Sequence, residues 1–279
     1  MGAWVVRAVR EVVYPRTCAG CGMRGTWLCE LCDGSVPALD GDGLCPRCGV
    51  PRVDTRCGCP DLAPVLDRVR SAFPYDGWAA RAVRRLKYAG EPDRARHLAS
   101  YMTRHLAAFG PLDAIIPVPL HPSRERVRGY NQSWLLAAAL GEACGVPVRP
   151  VLRRVVATPS QTRLSGAARR TNVATAFALD PGWHPQPGGR FLIVDDVRTT
   201  AATLNACATA LAPVRPAMVG GVTFAADLPS SWLQALRATA ETAPPLSDQL
   251  ARFPRRSFAA ARAHRSASST TSMSDTRSG

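Results

Sequence analysis

Eight of the ten cysteines lie between Cys18 and Cys59, and they come in pairs. The pairs are Cys18-x2-Cys21, Cys29-x2-Cys32 and Cys45-x2-Cys48, with Cys57-x-Cys59 as a shorter fourth. Residues 17–60 are rich in Cys, Gly and Pro and poor in aliphatic side chains. Such a stretch cannot close an ordinary hydrophobic core, so another bond must staple it. A CxxC turn lets two thiolates converge on one cation while backbone amides donate to the sulfurs, and two such turns complete a four-thiolate zinc site. Cys45-Pro-Arg-Cys48-Gly49 is the clearest knuckle: proline tightens the turn and glycine accepts a positive φ. Eight ligands suffice for two zinc ions, paired sequentially or interleaved, and the spacing does not choose. No histidine stands among the ligands and no open coordination position is suggested, so the zinc is expected to be structural and to replace a core. Cys144 and Cys207 stand apart in apolar helical contexts and read as buried small hydrophobes.

The chain has 279 residues, enough for a small module and a medium domain. No stretch is long and apolar enough for a transmembrane helix. The first residues, MGAWVVRAVREVVYP, carry Arg7, Arg10 and Glu11 within their apolar run. That pattern reads as an amphipathic lead-in helix over 1–16 rather than a signal peptide, which makes a cytoplasmic location the expectation. The formal charge is +14, a balance that suits polyanionic partners. Nearly all of the basic side chains are arginines, however, and Lys87 is the one lysine, so genomic composition bias explains the charge equally well.

Beyond the cysteines the pattern alternates. An extended piece at Arg68–Tyr75 precedes helices near Trp78–Tyr88 and from Pro92 to Phe109. Residues 113–120, DAIIPVPL, read as a buried strand followed by a turn at Pro122 and a basic loop. A helix is expected over Gln132–Cys144, a short strand near Val151–Val156, and then a long loop. RFLIVDD at 190–196 and AMVGGVTF at 217–224 are two more buried strands, with a helix from Thr200 to Ala212 between them. Strands alternating with helices predict an α/β domain with a parallel sheet over 61–226. The piece SSWLQALRATAET reads as one further amphipathic helix. From about Ser257 the chain lacks large apolar residues and is expected to be disordered, within an extension covering 227–279.

The segment Phe191-Leu-Ile-Val-Asp-Asp-Val-Arg-Thr-Thr-Ala-Ala-Thr203 carries the most chemistry. Asp195 and Asp196 close a buried strand, and a threonine-rich turn opens the next helix. Ligands of open α/β sheets bind outside the carboxyl ends of the strands. Paired carboxylates can accept hydrogen bonds from the vicinal hydroxyls of a ribose. Threonine hydroxyls and the free amides of a helix N-terminus can cup a phosphate, here through Thr199, Thr200, Ala201, Ala202 and Thr203. Paired acids after a strand can also bind Mg²⁺ or simply form a turn and cap.

This segment resembles the phosphoribosyl-pyrophosphate motif of type I phosphoribosyltransferases, with Ala201 where that motif has glycine. Leu86-Lys-Tyr-Ala-Gly90, Ile116-Pro-Val-Pro-Leu-His-Pro122, Arg128-Gly-Tyr-Asn-Gln132, Gln161-Thr-Arg-Leu-Ser165 and Arg169-Arg-Thr-Asn-Val173 together resemble the ComF family over about residues 15–225. Gly166 stands where that family usually has arginine. The resemblance implies a type I phosphoribosyltransferase fold preceded by a zinc-ribbon module at 17–60. It implies phosphoribosyl pyrophosphate with Mg²⁺ as ligand, and Asp195 and Asp196 as the groups holding the ribose.

The resemblance also makes Pro119, Leu120 and His121 a pyrophosphate-gripping loop, against the plainer reading of a proline-rich strand exit. Lys87 is then a phosphate contact or a surface helix residue, and His121 a proton carrier or merely polar. Arg124, Arg126 and Arg128 are phosphate contacts or a solvated loop. Between Arg149 and Leu179 there are six arginines and no acid. That segment, with Arg163, Arg169 and Arg170, corresponds to the flexible loop that closes over related active sites. If the chain is an enzyme, pyrophosphate is displaced at the anomeric carbon by an acceptor that the residues do not name. ComF relatives are associated with natural transformation. The alternative is therefore a catalytically inactive accessory protein that binds single-stranded DNA and works with a DNA-translocating helicase.

Overall fold

The protein is seen here as a computed structural model, which describes residues 15–41, 43–52, 57, 59–155, 176–185 and 187–240. The lead-in helix through residue 14, the loop arginines Arg163, Arg169 and Arg170, and the tail beyond 240 lie outside the described residues.

In chain order the elements are α1 (Glu30–Asp33), β1 (Arg68–Pro74), α2 (Gly77–Tyr88), α3 (Arg94–Met102) and β2 (Ala114–Pro117). Then come α4 (Pro122–Arg128), α5 (Gln132–Cys144), β3 (Leu152–Arg154), β4 (Phe177–Leu179) and β5 (Arg190–Arg198). α6 (Ala202–Leu211), β6 (Met218–Ala226) and α7 (Ser230–Ala240) complete the set. Four strands form one all-parallel sheet in the order β1-β6-β5-β2, so the expected α/β class holds. β3 and β4 pair antiparallel as a separate ribbon.

Phe191–Val194 of β5 and Met218–Val222 of β6 are apolar without interruption because both faces of the sheet are covered there. Along β5, Leu192 and Val194 enter one core while Phe191 and Ile193 enter the other. The first core receives α2, α3 and α5. Phe73 and Trp78 meet edge-on there with ring centroids 4.7 Å apart, and Phe224 lies 5.6 Å from Phe73. The second core receives Leu204, Cys207 and Leu211 of α6.

The cysteine-rich stretch is fused to this body. Its apolar residues Leu28 and Val36 join the first core, while Leu39, Cys45, Cys48 and Val50 join the second. Backbone bonds run from Leu39 N to Ala72 O at 2.9 Å and from Val69 N to Arg47 O at 2.8 Å. Gly49 has φ +66°, and a Cβ there would lie 2.5 Å from the Val69 carbonyl oxygen, so glycine is required where the knuckle meets β1.

Three expectations need correction. The turn and basic loop expected after Pro122 are a helix. His121 accepts from the Ser123 amide as N-cap, Pro122 fits the first turn, and Gly129 closes the helix at φ 83°. The single helix expected from Pro92 to Phe109 stops at Met102 and continues as 3₁₀ turns over Thr103–Phe109. The helix expected from Thr200 begins at Ala202, because Ala201 adopts a left-handed conformation at φ 57°.

Candidate functional site

The carboxyl ends of β5 and β2 and the N-terminus of α6 open onto one cavity of about 400 Å³. Asp195, Asp196, Thr199, Thr200, Ala202 and Thr203 all line it, as do Lys87, Pro119 and Leu120. Ala201 and His121 do not. The Ala201 methyl turns into the second core, and the His121 ring is committed to Ser123, with Nδ1 2.7 Å from its hydroxyl.

The two acids have different surroundings. Asp195 Oδ1 accepts from Ser133 Oγ at 2.8 Å and from the Asp196 amide at 2.9 Å. Asp196 Oδ1 accepts from the Val197 amide at 2.9 Å, and its Oδ2 lies 2.6 Å from Lys87 Nζ. Burial, and then the charge on Asp196, push the Asp195 carboxyl up to about 7, against the opposing pull of the Ser133 hydroxyl and Lys87. Burial works against the charge on Lys87, but the Asp196 carboxylate outweighs it and raises the ammonium pKa.

The cavity also has a basic wall: Arg124, Arg128 and Arg154 line it. Arg128 donates to Gln132 Oε1 and lies over the Tyr88 ring, 5.3 Å from its centroid. Gln132 in turn donates to Ser133 Oγ at 3.4 Å, which joins the basic wall to Asp195. Arg154 stands over Phe177 on the β3–β4 ribbon. Arg154, Gln132, Tyr75, Tyr88 and Asp227 are cavity residues that sequence reasoning did not single out. Gln132 and Tyr88 stood inside the motifs Arg128–Gln132 and Leu86–Gly90, whereas Arg154, Tyr75 and Asp227 carried no local signal.

The cysteines resolve into two tetrads, Cys18–Cys21–Cys29–Cys32 and Cys45–Cys48–Cys57–Cys59, each with its sulfurs within 4.8 Å of one another. The pairing is therefore sequential. Sulfurs of a ZnS₄ tetrahedron with bonds of about 2.3 Å stand ~3.8 Å apart. Cys18 and Cys21 lie 3.6 and 3.7 Å from Cys29, and Cys45 lies 3.3 Å from Cys59. Burial opposes the Cys18 thiolate, but amides of Cys21, Cys29 and Gly20 overcome it and bring the thiol down to about 6. Thiolate donors converging in this way fit zinc, and both tetrads can hold an ion.

Among the described residues no helix is long and apolar enough to cross a membrane. No family model matches the chain. Competence protein F of Haemophilus influenzae is 32% identical over 194 residues, which is 63% of this chain and 81% of that protein. DNA utilization protein YhgH of Salmonella typhimurium is 33% identical over 187 residues, 63% of this chain and 80% of the relative. Competence protein ComFC of Bacillus subtilis is 24% identical over 195 residues, 66% and 77% of the two chains. With the cysteine tetrads, the parallel sheet and these relatives together, the chain belongs to the ComF family.

Proposed function

We propose that this chain binds a ribose 5-phosphate group, as in phosphoribosyl pyrophosphate, in the cavity at the carboxyl edge of its sheet. The observation that carries the reading is the meeting, in one cavity, of the Asp195–Asp196 pair and the hydroxyl-lined mouth of α6. Asp195 and Asp196 would accept from the ribose hydroxyls. Thr199, Thr200 and Thr203, with the first amides of α6, would hold the 5-phosphate. Val118, Pro119 and Leu120 at the exit of β2, with Arg124 and Arg128, line the same cavity and would meet a diphosphate.

The Asp196 charge is already met by Lys87, so the chain itself offers no open two-carboxylate seat for a cation. Mg²⁺ would instead enter on the diphosphate oxygens and neutralise them there. For transferase chemistry, the arginine wall would stabilise the charge gathering on the departing diphosphate. Asp195 and Asp196 would keep the ribose oriented while its anomeric carbon is exposed to an acceptor.

The names of the relatives support a role in DNA uptake or DNA utilisation. A second reading follows from the cavity rim, where Tyr88 is 76% exposed and stacked on Arg128. An aromatic ring beside arginines can stack a base while the cavity takes the sugar phosphate of a single-stranded DNA end.

Calorimetry of the zinc-loaded protein with phosphoribosyl pyrophosphate and Mg²⁺ tests the first reading. Saturable binding that Asp195→Asn weakens supports it, and absence of heat from folded protein overturns it. Oligonucleotides with and without a 5′-phosphate, titrated across a salt series, test the second.

A further inference from the structure

We propose that Asn205 is a positioning residue tying the phosphate-facing helix to the second cysteine tetrad. Metal held by Cys45, Cys48, Cys57 and Cys59, and not metal in the first tetrad, then sets the affinity for a sugar phosphate. The affinity clause rests on the reading of α6 as a phosphate cup; the tether itself does not.

Asn205 lies one turn inside α6. Its Oδ1 accepts from the Ala63 amide at 2.8 Å, and its Nδ2 donates to the Asp61 carbonyl at 2.6 Å. A side-chain amide thus replaces a backbone partner and clamps the segment that directly follows Cys59. The same segment is held from the other side by Arg47, between Cys45 and Cys48, whose guanidinium donates to the Ala63 carbonyl at 3.2 Å. Leu204 and Ala201 pack in one core with Cys45, Cys48 and Leu62. Polar and apolar contacts therefore both run from the tetrad to the first turns of α6.

Charge adds a third link. Arg198, next to Thr199, is 6% exposed, and its Nε has no hydrogen-bond partner among the described residues. Burial pulls its pKa down, and Cys48, Asp61 and Cys59 pull the other way. Four thiolates around Zn²⁺ carry a net charge of about −2, which adds to Asp61 in offsetting the buried guanidinium.

The first tetrad reaches the other face of the sheet. Arg94 of α3 donates to the Thr17 and Trp27 carbonyls, and Arg81 of α2 to that of Ala19. None of these contacts touches α6.

The test uses the full zinc-loaded chain with ribose 5-phosphate and, separately, Mg²⁺-pyrophosphate as probes. Asn205→Ala should weaken ribose 5-phosphate several-fold, because one part-buried and one exposed hydrogen bond holding the start of α6 are lost. It should leave Mg²⁺-pyrophosphate binding unchanged, which a general loss of stability would not do. Amide hydrogen exchange across residues 201–206 should accelerate in Asn205→Ala and in Cys57→Ser, but not in Cys21→Ser. Unchanged exchange in Asn205→Ala, or an equal effect of Cys21→Ser and Cys57→Ser, would overturn the tether. If the wild-type chain binds no ribose 5-phosphate, the sugar-phosphate reading and the affinity clause fall together, and the exchange data decide the tether alone.

Discussion

Lys87 Nζ, near the end of α2, stands 2.6 Å from Asp196 Oδ2, and both residues line the cavity. The adjacent Asp195 is held by a hydroxyl and an amide. Two adjacent buried carboxylates have thus been given separate solutions: one faces a cation, and the other is driven toward its protonated form.

Removing the cation tests the first solution. The Lys87 side chain is 21% exposed and that of Asp196 only 4%. Truncating one partner of a fully buried pair costs ~3–5 kcal/mol, and partial exposure of the lysine brings the expected loss to about 2 kcal/mol. Lys87→Met should therefore lower the urea midpoint with an unchanged slope. It should also raise the Asp195 pKa further, because Lys87 is among the groups that hold it down. A midpoint equal to wild type would show that the pair contributes nothing to stability.

The second solution makes stability depend on pH in a stated direction. The folded Asp195 carboxyl titrates at about 7, well above its value in an unfolded chain. Between roughly pH 4 and 7 the folded state keeps a proton that the unfolded state has lost, so this group's contribution falls as pH rises through that window. Asn in its place keeps an Oδ1 acceptor for Ser133 and the Asp196 amide without the charge. Asp195→Asn should be more stable than wild type at pH 8 by on the order of 1–3 kcal/mol, and close to it at pH 4. Denaturant melts at both pH values check the sign. The variant should bind sugar phosphate less well, trading function for stability.

The sequence made the site's centre legible because strand, acid pair and helix mouth are contiguous in Phe191–Thr203, where local pattern and fold agree. The walls were less legible, since they come from distant segments. Lys87 meets Asp196 only because β1 and α2 return to the same sheet edge. Arg154 arrives on a ribbon whose partner strand, Phe177–Leu179, is far from it along the chain. The α4 helix was hidden by its arginines, although His121, Pro122 and Gly129 spelled out its caps. Cysteine spacing announced metal but not pairing, because pairing depends on how far each turn is carried by the body it packs against.

That packing predicts unequal metal lability. Each tetrad has two buried cysteines, but Cys21 of the first is exposed, whereas Cys57 and Cys59 of the second are half-buried. Native mass spectrometry should find two zinc ions per chain. A chromogenic chelator should then withdraw them in two phases, the fast one from the first tetrad. Cys21→Ser should abolish the fast phase and leave the slow one intact. Release in one phase, or a slow phase lost in Cys21→Ser, would show that the tetrads are not held as differently as their burial implies.

Ala201 offers the sharpest check on the phosphate loop. It sits at φ 57° with its methyl buried, where an L-residue other than glycine is strained by ~1–2 kcal/mol. Glycine removes that strain but frees the unfolded chain by ~0.4–1 kcal/mol, so Ala201→Gly should be neutral or stabilising by up to about 1 kcal/mol. The loop amides then gain freedom to approach a phosphate, and affinity for ribose 5-phosphate should rise. Valine at the same position should destabilise by more than about 1 kcal/mol, because a β-branched side chain finds no relief at positive φ. Thermal melts and titrations of the two variants together separate backbone strain from the methyl's packing. If glycine costs stability as valine does, the methyl's contacts with the second core outweigh the strain at this turn.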